Sequence, residues 1–151
     1  MTDVTNITNE IAIFAGGCFW CLDAVYRQLK GVTESISGYT GGLSENPTYG
    51  DVVHGTTGHA EAVKITFDES VIPRDAILDI FFLIHDPTSL NRQGADVGTE
   101  YRSAMFYGDD DQKNEFMAAA ERAQEHWDKP IVTEITALGA FYEAEEYHQD
   151  Y

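Results

Sequence analysis

The chain has 151 residues, 43% of them hydrophobic and 12% aromatic. That is the balance of a globular protein, with no run long and apolar enough to span a bilayer as a helix. Nine basic residues against 26 acidic ones give a formal charge of −17, which repels nucleic acid and anionic membrane surfaces and excludes both as partners. A chain of this length buries roughly 70% of the surface its unfolded form exposes and needs no disulfide staple. Residues 1–151 are therefore expected to form a single domain, and a monomer. No lysine or arginine precedes the apolar run from Ile11 to Leu22, so no export signal is expected and the cytoplasm is the expected compartment. Two cysteines in a reducing compartment suggest transient catalytic thiols rather than a permanent bridge.

Residues 1 to 9 are polar and β-branched without period, as in a loose N-terminus. Glu10 to Ala15 is apolar on both faces and suits a central strand. Gly16-Gly17 then turns the chain into a helix whose stripe is Leu22, Val25, Tyr26 and Leu29, with Gly31 as its stop. Val32 to Tyr39 is β-branched and mostly alternating, a second strand. From there to Gly58 runs a long loop of Gly, Pro, Asn, Ser and Thr that carries Tyr49 and His54, and loops of that length are more often functional than idle. Ala60 to Asp68 alternates cleanly, with Val63, Ile65 and Phe67 on one face. Pro73 suits a first helical turn, followed by a stripe of Ile77, Ile80, Phe81 and Ile84 that ends at His85-Asp86-Pro87. A polar loop is expected from Thr88 to Thr99, and a short strand near Tyr101 to Tyr107. Asp109 to Asp111 open the last long helix, favourable against its dipole, with Phe116, Ala120, Ala123 and Trp127 facing inward. Lys129-Pro130 breaks it, and Ile131 to Leu138 reads as a final strand. The aromatic tail from Gly139 to Tyr151 is expected to dock on the domain. Strands covered by about three helices make an α+β protein.

Chemistry concentrates at Gly16-Gly17-Cys18-Phe19-Trp20-Cys21, which holds both cysteines. Strand, tight turn and helix start place Cys18 in a first helical turn, where unpaired N–H groups and the helix dipole favour an anion, and the thiolate is the reactive form of cysteine. Three residues apart on a helix, Cys18 and Cys21 have Cα atoms roughly 5 Å apart, inside the window a disulfide accepts. The competing reading makes both thiols small core hydrophobes. Phe19 and Trp20 are open to two readings, core residues of the first turn or an apolar wall for a small substrate group.

Glu61 shares the parity of Val63, Ile65 and Phe67. Pointing toward the apolar face, it would be desolvated and would hold a proton near neutrality, as a general acid must; at a frayed strand end in solvent it would do nothing. Tyr49, Tyr101 and Asp96 form a third set, since a buried phenol can donate to a polar oxygen of a substrate, although packing tyrosines are commoner. The five histidines are scattered without ligand spacing, so no metal is expected.

Seven motifs in order resemble the A-type peptide methionine sulfoxide reductases: GCFWC at Gly17 to Cys21, GYTGG at Gly38 to Gly42, NPTY at Asn46 to Tyr49, TGHAEAV at Thr57 to Val63, HDPT at His85 to Thr88, RQG-D-GTEYRSA across Arg92 to Ala104, and AEEYHQDY at the end. The resemblance implies a two-layer α/β sandwich with a ferredoxin-like βαββαβ core. It also implies reduction of the S epimer of methionine sulfoxide, free or in proteins, with no cofactor and with thioredoxin as the recycling reductant. By position it implies Cys18 as nucleophile, Glu61 as the acid at the sulfoxide oxygen, Tyr49 and Tyr101 as donors to that oxygen, and Phe19 and Trp20 as a pocket for the methyl group. Asp96 is similar to an aspartate that the family places near the site to hold polar groups or water. Many members recycle through cysteines in a longer C-terminal tail. In this chain both cysteines lie in the first motif, which leaves Cys21 as the resolving thiol. Asp23 stands where the family commonly has glutamate, and it is assigned no catalytic role.

Two other classes stay open on sequence grounds. A general thiol-disulfide oxidoreductase would give Glu61 and the tyrosines no job. An acidic module that binds methionine side chains would bind a sulfoxide peptide without consuming it.

Overall fold

The computed structural model describes residues 9–17, 19–41, 59–93 and 96–144. The loose N-terminus expected at residues 1–8, the loop expected from Gly42 to Gly58, and the last seven residues of the tail lie outside the described residues.

Strand β1 (Asn9–Ala15) lies inside the sheet, as its two apolar faces require. It pairs antiparallel with β3 (Ala60–Asp68), Phe14 opposite Val63, and with β6 (Ala104–Tyr107), Ile13 opposite Phe106. Strand β2 (Val32–Thr40) lies on the far side of β3, Tyr39 opposite Glu61. The order β6-β1-β3-β2, antiparallel throughout, is the ferredoxin-like arrangement of a βαββαβ chain. Two further strands extend it. β7 (Glu134–Ala137) runs parallel to β6, and β8 (Phe141–Glu143) pairs with β2.

Helices α1 (Phe19–Arg27), α2 (Arg74–Leu83) and α3 (Asp110–Gln124) cover one face. Between them and the sheet lie Phe14, Phe19, Leu22, Tyr26, Tyr39, Ile65, Phe81 and Phe116, all with at most 1% of their surface exposed. Alternation sends Ile13, Ala15, Ala60, Ala62, Ala104 and Phe106 to a second cluster. β1 is not buried along its whole length. Ile11 is half exposed, because β6 reaches only Ile13 to Ala15.

Several elements differ from expectation. Helix α1 ends at Arg27, short of Gly31. Pro73 is the N-cap of α2 with extended backbone, not a residue of its first turn. Along α2, Leu78 and Phe82 are buried as well as Ile77 and Phe81, whereas Ile80 and Ile84 are only partly covered. Phe81 of the helix stacks on Phe14 of β1 and the helix also packs on α3, so its apolar face is wider than one stripe. On α3 the buried positions are Phe116, Ala119 and Ala123, with Ala120 and Trp127 half-covered.

The segment expected to be a loop from Thr88 to Thr99 contains a two-residue ladder, β4 (Arg92–Gln93) against β5 (Asp96–Val97). Tyr101 ends a 3-10 turn, Thr99–Tyr101, and the strand expected there starts only at Ala104. Residues 131–133 are not strand. The Val132 N–H donates to the Pro87 carbonyl at 2.7 Å and the Ile131 N–H to Gln124 Oε1 at 2.9 Å, so these groups face sideways rather than into a ladder. The last strand is β8, which brings the start of the aromatic tail onto the domain at the β2 edge.

Candidate active site

The turn at Gly16-Gly17 carries the chain from β1 to α1 and is buried. Gly17 has φ +94°, a conformation side-chain-bearing residues rarely adopt. A β-carbon at Gly16 would lie 2.9 Å from His85 Cδ2 and 3.2 Å from Phe81 Cε1, and one at Gly17 would lie 2.8 Å from Gln93 Cγ. Neither position has room for a side chain. Cys18 follows, and the residue itself lies outside the described set. Its neighbours on both sides, Gly17 and Phe19, are described.

Phe19 opens α1 and is fully buried. Its ring lies 5.8 Å from Trp20 and 5.7 Å from Tyr39. Of the two readings for this pair, packing accounts for Phe19, while Trp20 is only partly buried and keeps surface to offer. Cys21 is a free, exposed thiol on the first turn of the helix.

Glu61 shows the parity expected of it and has no exposed surface. The β1–β3 register carried two residues past Phe14–Val63 brings Gly16 abreast of Glu61. Glu61 Oε1 accepts the backbone N–H of Phe19 at 3.2 Å. The carboxyl is thus held against the residue that follows Cys18, satisfying one of the N–H groups a helix start leaves unpaired. A position in solvent at a frayed strand end is excluded.

Tyr101 is half-buried on the 3-10 turn, which packs against β3, and its N–H donates to the Gly98 carbonyl at 3.1 Å. Tyr49 lies outside the described residues. Asp96 is described as a backbone position in β5, opposite Gln93. Among the described residues no group of three His, Cys, Asp or Glu could hold a metal ion.

Three groups near the motif carry roles that the residue pattern did not reveal. Asp23, two residues past Cys21, is buried. It accepts the Ser35 hydroxyl at 2.5 Å and the Arg27 guanidinium at 3.0 and 3.3 Å, while Arg27 also donates to the Ser35 carbonyl. This cluster fastens α1 to β2. The other two are His85 and Gln93, which pack behind the glycines. Burial drives the His85 imidazole down to about 4, against smaller opposing effects of the Phe81 carbonyl and Asp86, so the ring is neutral at physiological pH. The only sequence signal for these two was their place in the motifs at His85 to Thr88 and Arg92 to Ala104.

The described site is a fully buried carboxyl on a ferredoxin-like sheet, hydrogen-bonded to the N–H of the residue that follows a cysteine at a helix start. The peptide methionine sulfoxide reductase family matches residues 10–151. "Peptide methionine sulfoxide reductase MsrA" of Paenarthrobacter aurescens is 60% identical over 139 residues, 92% of this chain and 80% of that protein. The protein of the same name from Clavibacter michiganensis is 62% identical over 92% of this chain and 79% of its own. Among solved structures, Mxr1 from Saccharomyces cerevisiae in reduced form superposes with a TM-score of 0.89 at 34% identity, covering 95% of this chain and 83% of that one. Methionine sulfoxide reductase A of Corynebacterium diphtheriae gives 0.85 at 31%, covering 99% and 76%. A third similar structure, TM-score 0.69 at 26% identity, covers 95% of this chain and 86% of that one, and is Mxr1 in complex with Trx2. This chain belongs to the peptide methionine sulfoxide reductase family, and it is an oxidoreductase that acts on the sulfur of methionine sulfoxide.

Proposed function

We propose that Cys18 attacks the sulfoxide sulfur while Glu61 delivers the proton that lets the oxygen leave. The observation that carries this is the position of Glu61, wholly buried and fixed to the N–H of the residue after Cys18. Sulfoxide oxygen leaves sulfur only when protonated, so an attacking thiolate needs a neutral acid beside it. Burial away from water disfavours the charged carboxylate and keeps such a proton available. Tyr101, with Tyr49 from outside the described residues, donates hydrogen bonds to the same oxygen, and Asp96 holds polar groups or water nearby. Trp20, backed by Phe19 at 5.8 Å, forms the apolar wall for the methyl group on sulfur.

The electron pair of the thiolate forms the new bond to sulfur, and the S–O bond breaks as the oxygen leaves as water with the Glu61 proton and the proton the thiol gave up. Water then attacks the Cys18 sulfur, the bond between the two sulfurs breaks with its electron pair going to methionine, and Cys18 is left as sulfenic acid with one proton returned to the site. The Cys21 thiol, exposed one helical turn on, then attacks the Cys18 sulfur, water leaves, and a Cys18–Cys21 disulfide forms. Thioredoxin supplies the dithiol that reopens it; capture of the related yeast Mxr1 in complex with Trx2 supports that partner. The substrate epimer is S, either free or in proteins, and residues 1–151 act as one domain. Among the described residues no helix is long and apolar enough to cross a membrane, and the proposed compartment is the cytoplasm.

Replacement by an isostere tests the reading. Glu61→Gln keeps an acceptor for the Phe19 N–H but removes the acid, and should lower the rate of sulfoxide reduction by about 10²- to 10⁴-fold in the folded protein. Cys18→Ser should abolish it. Activity within about twofold of wild type in either variant would overturn the roles of Cys18 and Glu61.

A further inference from the structure

We propose that His85, with Ser103 behind it, is a positioning residue for the reaction: it seats the Gly16-Gly17 turn and thereby aims Cys18. The inference rests on the assignment of Cys18 as nucleophile and adds to it a group that does not touch the substrate.

The imidazole is fixed at both nitrogens. Nδ1 lies 2.5 Å from the Phe81 carbonyl, which can only accept, so Nδ1 carries the hydrogen. Nε2 is then an acceptor and takes the Ser103 hydroxyl at 2.7 Å. With its hydrogen committed, Ser103 Oγ accepts in turn from Thr133 Oγ1 at 2.8 Å. A continuous chain therefore runs from the last turn of α2 through the imidazole to the start of β6 and the segment before β7. The ring lies against Phe81, tilted by 38° with centroids 4.1 Å apart, and Phe81 stacks on Phe14 of β1 at 4.8 Å. The Cδ2 edge meets Gly16.

The neighbouring segment is held to the same frame. Gln93 accepts the Asp86 N–H at 2.8 Å and donates to the Asp86 carbonyl at 2.6 Å, and its aliphatic carbons press on Gly17. Each glycine of the turn thus rests on a side chain that is itself pinned by two hydrogen bonds. A neutral, buried ring with both nitrogens committed is not available as a proton shuttle, which leaves orientation as its contribution. Displacements of about 1 Å at a reacting group can cost about 100-fold in rate, so the precision of this seat reaches the chemistry.

The test combines kinetics with a thiol readout. His85→Asn keeps a donor toward Phe81 and loses the arm to Ser103; Ser103→Ala leaves the imidazole in place and removes its partner; His85→Gln restores reach toward Ser103. His85→Asn and Ser103→Ala should each lower kcat for a methionine sulfoxide peptide by about 10- to 100-fold. KM should stay within about twofold, and iodoacetamide should alkylate Cys18 more slowly in a Cys21→Ser background. His85→Gln should recover part of kcat. If His85→Asn fails to fold, Ser103→Ala decides alone by the same split. Unchanged kcat and alkylation, or loss that follows only the fraction unfolded, would overturn the proposal. Turnover that survives Cys18→Ser removes the underlying assignment instead, whereas a Cys18-dependent enzyme indifferent to His85 and Ser103 removes this proposal alone.

Discussion

Acidification should destabilise this protein through His85 before most of its carboxylates are protonated. The buried imidazole is lowered from its usual 6.5 to about 4 by desolvation. Its folded value lies below its unfolded value, so between the two the unfolded chain binds more protons. The stabilisation is complete above about pH 6.5 and is lost as pH falls toward about 4. At ~1.4 kcal/mol for each pH unit of separation, the full effect is about 3 kcal/mol, a large share of the roughly 5–15 kcal/mol that holds a domain folded. Asp86, held below the usual carboxylate range by the Thr88 hydroxyl, and Glu10, held down by Arg74 against its own desolvation, add losses of the same sign at lower pH. His85 and Asp86 also act on each other, the Asp86 charge opposing part of the shift that burial imposes on the ring. Urea unfolding followed by tryptophan fluorescence across this window should show wild type losing about 3 kcal/mol more than His85→Asn. In wild type the His85 ring resonances should not titrate near 6.5. Parallel stability curves, or a ring that titrates at its ordinary value, would refute the burial-driven shift and the tautomer built on it.

Two further outcomes follow from capping and packing. Asp109 caps α3 by accepting the Gln112 N–H at 2.8 Å, so Asp109→Ala should cost about 1 kcal/mol by urea unfolding and leave kcat unchanged. Asp23→Ala strands the buried Ser35 hydroxyl and loosens Arg27. It should cost about 2 kcal/mol, more than the exposed Arg122–Asp79 pair, whose removal by Arg122→Ala should cost under about 1 kcal/mol.

How much could be read from the residues depends on how far each signal reaches along the chain. Alternation through Val63, Ile65 and Phe67 put Glu61 on the helix face, because a two-residue period permits no other placement once one face is buried. The same rule failed at Ile131 to Thr133, where the side chains suit a strand but the backbone N–H groups at Ile131 and Val132 are taken by Gln124 and Pro87. Strands of two residues, as at β4 and β5, have no period to detect. The role of His85 was hidden for another reason. What makes it informative is its contact with Gly16, and a glycine's need for empty space leaves no trace of what fills the far side. Asp23 looked like a shortened surface acid, since nothing local shows that Ser35 on β2 lies against it.

The most direct measurement of the mechanism is mass analysis of the protein after one exposure to a methionine sulfoxide peptide without reductant. One equivalent of methionine peptide released per chain, with peptide mapping that finds Cys18 joined to Cys21 and a net loss of two hydrogens, is the expected result. Cys21→Ser should release the same single equivalent and retain Cys18 as sulfenic acid. Product without any change at Cys18, or sustained thioredoxin-driven turnover in Cys21→Ser, would contradict the sequence of attack at Cys18 and resolution by Cys21.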